Sequence, residues 1–173
     1  MQDHPSARKS EEEVKKDFRQ TLGNFCSGIV VATAIHADAP VAFVAQSFFS
    51  LSLSPPLIGI CPAKTSSSWP KIRDSGQFCI NILAASQRDV CVTMASSGAN
   101  GPNKFANVKW SQGGNGAPVI EGVLAYVECD WLAEHDAGDH TIAVGRAREV
   151  VTLEPDAKPL LYFQSGYGTF GDL

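Results

Sequence analysis

The spacing of the apolar runs limits the fold of this chain more than any other feature. Runs rich in β-branched and aromatic residues have the length of strands, and most are separated by tight turns instead of helices. They span residues 29–35, 41–46, 57–61, 77–83, 119–134, 141–153 and 159–164. A doubly wound parallel sheet needs a helix after nearly every strand, so this order argues against one. The pattern predicts a mainly β fold in which antiparallel strands close into a barrel with peripheral helices.

Three helices are expected around that barrel, over residues 10–24, 69–74 and 86–95. The first has the clearest signals, because Ser10 and Glu13 form a capping-box pattern and apolar residues then recur at helical spacing from Val14 to Leu22. The polar residues 1–9 are expected to form a disordered tail, and residues 10–173 a single domain. Residues 96–103 and 111–117 are rich in Gly, Ser and Asn and are predicted to be loops.

Charge and cysteine usage exclude several classes of protein. The formal net charge is -4 and the basic residues are scattered, so the chain lacks the basic stripe of a nucleic-acid-binding protein. Its longest apolar runs are too short for a membrane span. The odd number of cysteines, without a CxxC pair or a signal peptide, predicts buried free thiols in a cytoplasmic protein. They are Cys26, Cys61, Cys79, Cys91 and Cys129, and their spacing predicts no metal site.

A cluster of hydroxyl side chains precedes the second predicted helix. Lys64 is followed by Thr65 and three serines, and the helix opens at Trp69. Free backbone N–H groups at a helix start, together with hydroxyl donors, can bind a phosphate. The alternative is that Ser67 or Ser68 caps the helix and the other residues form a solvated loop. The segment alone leaves both interpretations open.

Three further segments are weak signals when each is taken alone. Residues 45–56 mix aromatic and hydroxyl side chains and could wall a flat aromatic ligand or form a barrel edge. Gly138-Asp139-His140 suits a turn, and a lone histidine there is usually a surface residue. Residues 103–105, with Trp110, are expected to dock a loop on the core. There is no Rossmann glycine fingerprint, no P-loop and no GxSxG motif.

Taken in order, these segments resemble the flavin reductase family of two-component flavin-dependent monooxygenases. The resemblance covers about residues 18–167, and it is carried by FRQTLGNFCSG at 18–28, QSFFSLSLSPP at 46–56, FCINIL at 78–83, NKF at 103–105 and GDH at 138–140. Within the family, the chain looks most like the reductases that serve hydroxylases of aromatic rings and seco-steroids. Asn103 stands where the family more often has Asp.

The resemblance implies a split β-barrel of the antiparallel Greek-key type, built as a homodimer that binds FMN or FAD and uses NADH or NADPH. It implies that reduced flavin is passed to a partner monooxygenase. Ser67 and Ser68 would bind the phosphate, and His140, the candidate catalytic residue, would face the nicotinamide. The full cofactor-binding set carried over by position is Pro40, Val41, Ala42, Phe43, Val44, Gln46, Ser47, Cys61, Pro62, Ala63, Ser67, Ser68, Met94, Ala95 and Tyr167.

Three other functions compete with this one. A related barrel could bind flavin or haem without catalysis. An enzyme like pyridoxamine-phosphate oxidase also uses a split barrel with FMN, but the chain shows no Arg and Lys cluster suited to a second phosphate. A purely structural interaction domain would leave the hydroxyl-rich loop and the Gly-Asp-His segment without a reason to occur together.

Overall fold

The computed structural model describes residues 8–96 and 104–171. The α-helices are α1 (Glu11–Leu22), α2 (Trp69–Asp74) and α3 (Arg88–Ala95), and a 3-10 turn at Ala85–Gln87 leads into α3. The strands are β1 (Ser27–Gly28), β2 (Val30–His36), β3 (Ala39–Ala45), β4 (Phe49–Leu53), β5 (Pro56–Ile60), β6 (Gln77–Ile82), β7 (Trp110–Gln112), β8 (Pro118–Ile120), β9 (Ala125–Ala137), β10 (His140–Thr152), β11 (Leu161–Phe163) and β12 (Gly166–Gly168).

One large sheet organises the described part of the chain. Seven strands follow each other in the order β3-β2-β6-β9-β10-β5-β4, and every neighbouring pair is antiparallel. Two smaller antiparallel sheets, β1-β11-β12 and β7-β8, flank it. The expectation of a mainly β, antiparallel fold with peripheral helices is confirmed.

The first helix forms as its sequence predicts. The Ser10 hydroxyl accepts a hydrogen bond from the Glu13 backbone N–H, and the Glu13 carboxylate accepts from the Ser10 backbone N–H at 2.8 Å. None of its residues is buried, and the apolar side chains of Val14, Phe18 and Leu22 remain exposed. The apolar face of α1 is therefore uncovered in a single copy of the chain.

One strand prediction was wrong. The predicted strand 119–134 is two strands, because Gly122 between β8 and β9 adopts a φ of 83° that extended backbone does not allow. Residues 49–53 form the edge strand β4 of the large sheet, which agrees with the barrel-edge alternative, and the Phe49 ring covers Gly59 of β5. The short strands β7 and β12 were missed.

The apolar core lies on both sides of β2, which explains why that strand is an unbroken apolar run. Alternate side chains of a strand point to opposite faces. Val30 and Ala32 join a cluster with Trp69 of α2, whereas Val31 joins a second cluster with Met94 of α3. The helices α2 and α3 both pack against β3, the next strand of the hairpin. The hairpin β2-β3 thus lies between two cores, and each core is covered by a helix.

Asn81 of β6 holds an interior polar network. It is 0% exposed, and its amide nitrogen donates to the Thr33 hydroxyl at 3.0 Å and the Pro118 carbonyl at 3.3 Å. Its amide oxygen accepts from the Ile120 N–H at 2.8 Å. The Thr33 hydroxyl also donates to the Pro118 carbonyl. A single buried side chain thereby fixes β8 against the large sheet.

A second buried polar side chain, Glu128, holds a loop against the large sheet. Glu128 of β9 is 3% exposed, and its carboxylate accepts from the backbone N–H groups of Gly114 at 2.6 Å and Asn115 at 2.9 Å. A Cβ atom on Gly113 would collide with the Glu128 carboxylate. The predicted loop 111–117 is therefore bound to the barrel wall beyond the short strand β7.

Some predictions fall where the structure is silent. Asn103 and most of the predicted loop 96–103 lie outside the described residues, as does the greater part of the tail 1–9. Phe105, two residues after Asn103, is buried, and its ring meets Trp110 edge-on with ring centres 5.9 Å apart. This confirms the docking expected of Phe105. Within the described ranges, no helix is long and apolar enough to cross a membrane.

Candidate functional site

A cavity of about 1090 Å³ opens beside β3, between α1, α3, the segment that precedes α2, and the tip of the β9-β10 hairpin. Small-molecule sites usually enclose roughly 300–1,000 Å³, so this one is large enough for a ligand with more than one ring system. Four consecutive residues of β3, from Ala42 to Ala45, contribute to an apolar wall, with Ala42 and Val44 on one face of the strand and Phe43 and Ala45 on the other. Gln46 and Ser47 extend that wall with polar groups.

The cavity brings together most of the residues selected from the sequence. Those that line it are Ala42, Phe43, Val44, Gln46, Ser47, Cys61, Ala63, Ser67, Ser68, Met94, Ala95, Tyr167 and His140. They come from six separate segments of the chain.

Pro40, Val41 and Pro62 do not line the cavity, so their contact with the cofactor stays a prediction. Val41 lies on the same strand face as Phe43 and Ala45 and is buried in the cluster that includes Trp69. Pro40 lies at the start of β3, paired with Ile35. Pro62 is buried, and its carbonyl accepts from the Thr141 N–H at 3.0 Å. All three support residues that do reach the cavity.

Six other lining residues were not singled out from the sequence as ligand contacts: Phe18, Leu22, Ile29, Cys91, Lys104 and Tyr162. Ala45, Thr65 and Ser66 also line the cavity and lie in the segments that the sequence analysis offered for a ligand.

Lys104 is buried, and its ammonium donates to the Met94 carbonyl at 2.8 Å. Burial lowers the pKa of this lysine. The NKF motif was expected to dock a loop, but its sequence did not indicate that Lys104 lines the cavity.

The hydroxyl cluster leaves two serines free to meet a ligand. The hydroxyl of Ser66 accepts from the Trp69 N–H at 3.1 Å, so Ser66 is the side chain that caps α2. Ser68 holds the N-cap position without a side-chain cap bond. Among the described residues, the hydroxyls of Ser67 and Ser68 have no hydrogen-bond partner, and both line the cavity. The alternative is therefore right about position, because Ser68 is the N-cap residue, but the capping hydrogen bond is made by the hydroxyl of Ser66.

Backbone pairing brings the tip of the β9-β10 hairpin to the same loop. Ala63 and His140 form an isolated antiparallel bridge, and the Lys64 N–H donates to the Asp139 carbonyl at 2.9 Å. The hairpin turns at Gly138, where a φ of 72° favours glycine. The histidine is thus placed by the same loop that carries the free serines.

The His140 ring has a fixed partner on one side. Its Nδ1 lies 2.7 Å from the carboxylate of Asp139, an arrangement in which Nδ1–H donates to the carboxylate. This hydrogen bond from His140 lowers the pKa of Asp139. In the neutral ring, Nε2 is then left as an acceptor. His140 can therefore accept a hydrogen bond from an amide N–H of a ligand.

Beneath the loop, the carboxylate of Glu134 collects three donors. Its Oε1 accepts from the Trp69 indole N–H at 2.8 Å and the Thr141 hydroxyl at 2.6 Å, and its Oε2 lies 3.5 Å from the Arg73 guanidinium. Burial raises the pKa of this carboxyl, but the hydrogen bonds from Thr141 and Trp69 and the charge of Arg73 outweigh it and hold the pKa below its usual value.

At the opposite side of the cavity, Tyr167 closes the wall from β12. Its ring packs edge-on against Tyr162 at 5.4 Å, and the Arg88 guanidinium lies 5.4 Å from the ring centre. The Cys91 thiol lies 3.7 Å from the Tyr167 hydroxyl, and burial raises the pKa of that thiol. Cys91 is therefore held as a neutral thiol.

The polar groups at the end of β3 are partly engaged. The Ser47 hydroxyl accepts from the Cys61 N–H at 2.9 Å, which ties the β3 exit to the β5 exit. The amide oxygen of Gln46 receives only a long hydrogen bond, at 3.4 Å, from the Ser27 hydroxyl. Gln46 thus keeps its amide N–H groups available to a ligand.

These features fit a flavin. The wall from Ala42 to Ala45 offers apolar contacts for the ring system, and Gln46 offers amide groups for its polar edge. The free hydroxyls of Ser67 and Ser68 offer donors for a phosphate. His140 stands on the same cavity wall as these serines and offers an acceptor for an amide.

Comparison with known proteins agrees with this assignment. Residues 22–171 match the family model described as Flavin reductase like domain. The chain is 44% identical over 155 residues to HsaB of Mycobacterium tuberculosis, the reductase subunit of a flavin-dependent monooxygenase, and the match covers 88% of this chain and 80% of that protein.

Two solved structures share the fold. A homologue of nitrilotriacetate monooxygenase component B from Mycobacterium thermoresistibile has a TM-score of 0.86 and 38% identity, with 94% of this chain and 89% of that chain covered. An NADH:FAD oxidoreductase of Streptomyces globisporus, in complex with NAD and FAD fragments, has a TM-score of 0.85 and 28% identity, with 95% and 98% covered. The fold is a split β-barrel, and the chain belongs to the flavin reductase family.

Proposed function

We propose that this chain is an NAD(P)H-dependent flavin reductase that reduces FMN or FAD and supplies the reduced flavin to a partner monooxygenase. The single observation that carries the proposal is the shared cavity, in which the apolar wall of β3, the free hydroxyls of Ser67 and Ser68, and His140 all face one space. The names of the similar proteins, a monooxygenase reductase subunit and an NADH:FAD oxidoreductase, support the same reaction.

The reaction needs orientation more than acid–base groups. A reduced nicotinamide supplies a hydride and the flavin ring accepts it, so the cofactors carry the chemistry. The protein has to stack the two rings at reacting distance. The apolar residues of β3 hold one ring flat and exclude water from its face. Met94 and Ala95 close over it, and Cys61 and Ala63 continue the wall.

His140 orients the second ring. Its Nδ1–H is held by Asp139, so Nε2 accepts an N–H of the nicotinamide carboxamide. In this role the histidine orients the nicotinamide and carries no essential proton. Tyr167, held by Tyr162 and Arg88, packs beside the bound nicotinamide. Gln46 and Ser47 contact the flavin ring, and Ser67 and Ser68 its phosphate.

The small number of positive charges around the proposed phosphate site favours release of the flavin. Among the described residues, Lys104 is the lysine that lines the cavity, no arginine lines it, and Lys64 precedes the hydroxyl cluster. Lys104 donates to a carbonyl, and Lys64 forms an ion pair with Asp136. Phosphate is then held mainly by neutral hydroxyl donors, which bind it less tightly than a charged cluster does. Moderate affinity suits an enzyme that hands its flavin to another protein.

The active form is proposed to be a homodimer of the single domain 10–173, working in the cytoplasm, where reduced nicotinamide and free thiols are kept. Phe18 is 61% exposed and Leu22 is 53% exposed, yet both line the cavity mouth. A second copy packed on α1 would cover them and complete the site.

Sedimentation equilibrium is expected to give twice the mass of the chain, and a monomer at assay concentration would contradict this.

The function is tested by NADH oxidation at a catalytic concentration of enzyme, with FMN, FAD or no flavin added. We expect many turnovers that depend on added flavin, followed as the loss of nicotinamide absorbance. NADPH in place of NADH ranks the two donors. Flavin binding without turnover from either donor would instead identify a carrier protein.

In the same assay, Ser67→Ala combined with Ser68→Ala is expected to raise the flavin KM about tenfold, because two donors to phosphate are lost. The control is Ser111→Ala, which removes an exposed hydroxyl of β7 outside the cavity. An unchanged flavin KM in the double variant would remove these serines from the proposed site.

A further inference from the structure

The carboxylate of Glu134 lies behind the cavity and not in its lining. It accepts from Trp69 and Thr141 on the same oxygen, at 2.8 Å and 2.6 Å. Trp69 directly follows Ser68, and Thr141 directly follows His140. Each donor is therefore one residue away from a proposed ligand-binding side chain, and the two ligands concerned are different.

Glu134 is the meeting point of two segments that are otherwise far apart in sequence. The Trp69 indole is buried between Phe43 and Phe78, with ring centres 6.2 Å from each, so its N–H can reach Glu134 only with α2 in place. Thr141 belongs to β10, next to the bridge between His140 and Ala63. Moving either segment would break a hydrogen bond to the same oxygen.

Charge makes this junction stronger than a neutral one. The Glu134 side chain is 18% exposed and faces the Arg73 guanidinium, which lies on α2 as well. Hydrogen bonds to an ionised carboxylate are roughly twice as strong as bonds between neutral groups. A buried apolar side chain at this place would leave the Trp69 N–H and the Thr141 hydroxyl without an acceptor.

We propose that Glu134 is a positioning residue that sets the distance between the flavin phosphate loop and the nicotinamide-facing histidine. It acts on the phosphate loop through Trp69 and on His140 through Thr141. The two connections, Glu134–Trp69 and Glu134–Thr141, are called the two arms. This inference rests on the proposed function, because that function assigns the flavin to the Trp69 arm and the nicotinamide to the Thr141 arm. Glu134 itself touches neither ligand.

The two arms can be cut separately. Trp69→Phe keeps the ring packing and removes only the N–H, whereas Thr141→Val keeps the shape and removes only the hydroxyl. We expect Trp69→Phe to raise the Kd for FMN about three- to tenfold with little change in the NADH KM. Thr141→Val should raise the NADH KM by a similar factor with little change in the Kd for FMN. In both variants kcat at saturation should stay near that of the wild type.

Substitution of Glu134 itself should affect both ligands. Glu134→Leu is expected to raise both constants, and Glu134→Gln, which keeps an acceptor oxygen, should restore part of each loss. The matched control is Glu154→Leu, which changes an exposed carboxylate that does not line the cavity. Equal effects of Trp69→Phe and Thr141→Val on both ligands would indicate general loosening and overturn the proposal. Unchanged constants in both would also overturn it.

Measurements without turnover separate this inference from the proposed function. The FMN affinity is read from quenching of flavin fluorescence, and the nicotinamide arm from calorimetric titration with NAD⁺. If the wild type binds both ligands but does not oxidise NADH, the reductase function fails while the two arms are still tested. If turnover is present and the arms do not separate, only the role of Glu134 fails.

Discussion

Replacing His140 with alanine is expected to raise the KM for the reduced nicotinamide about tenfold or more, while kcat stays within about threefold of the wild-type value. The variant loses the acceptor at Nε2, which the Asp139 carboxylate orients through Nδ1. Because this hydrogen bond forms equally with the ground state and the transition state, its loss weakens binding more than it slows the chemical step. Steady-state kinetics at saturating flavin measure both constants.

His135 provides the matched control for this experiment. It lies on the same hairpin, paired with Ile142, and is exposed outside the cavity lining. His135→Ala should leave both constants unchanged. If His140→Ala lowers kcat far more than it raises KM, the histidine takes part in the chemical step. If neither constant moves, it has no role in nicotinamide binding.

Asn81→Ala is expected to lower the free energy of unfolding by about 3 kcal/mol, because the interior loses the acceptor and the two N–H donors of the Asn81 amide. For a domain of this size, that loss corresponds to a fall in Tm of roughly 6–12 °C. The Ile120 N–H would lose its acceptor, and the Thr33 hydroxyl would lose a donor. Thermal unfolding followed by circular dichroism measures the shift.

The control for Asn81 is Asn107→Ala, because Asn107 is an exposed turn residue. Surface substitutions of this kind usually change stability by no more than about 0.5 kcal/mol. A similar Tm for the two variants would mean that the polar network around Asn81 contributes little to the stability of the fold.

Local sequence signals predicted the elements whose ends are set locally. The capping box at Ser10 defines the start of α1, and Gly138 defines the turn of the β9-β10 hairpin. The bounds of α2 also follow the sequence, because Ser66 caps its start and Gly76, with a φ of 73°, follows its end. In these places the residue type and the backbone conformation determine each other.

The strands that were missed belong to short hairpins. Strand β4 pairs with β5, and β12 pairs with β11, each across a turn of two residues. Residues Phe49 to Leu53 alternate apolar and serine residues, which is a strand pattern, but the segment was interpreted only as a ligand wall or a barrel edge. Strand β12 has only three residues, two of them glycines, so it carries no pattern of its own and forms through its pairing with β11.

The site was predicted unevenly, because some of its residues lie in contiguous motifs and others reach it through packing. Most residues carried over from the family motifs on β3 and in the hydroxyl cluster line the cavity. Leu22 and Tyr162 line it through the packing of whole elements. Val41, within the same motif, does not line it, and its side chain is buried in the core.

The glycine pair at 113–114 also has a meaning that composition alone conceals. Glycine-rich segments are commonly associated with hinges, yet here the backbone presses directly onto the Glu128 carboxylate, and the space for a side chain at Gly113 is already taken. Because these residues have no side chains, their backbone packs directly against the Glu128 carboxylate, and the segment is held rigidly. Tolerance to substitution and insertion should accordingly be low at this point of the surface, although it lies between strands and would be chosen first as a site for grafting a peptide or a tag.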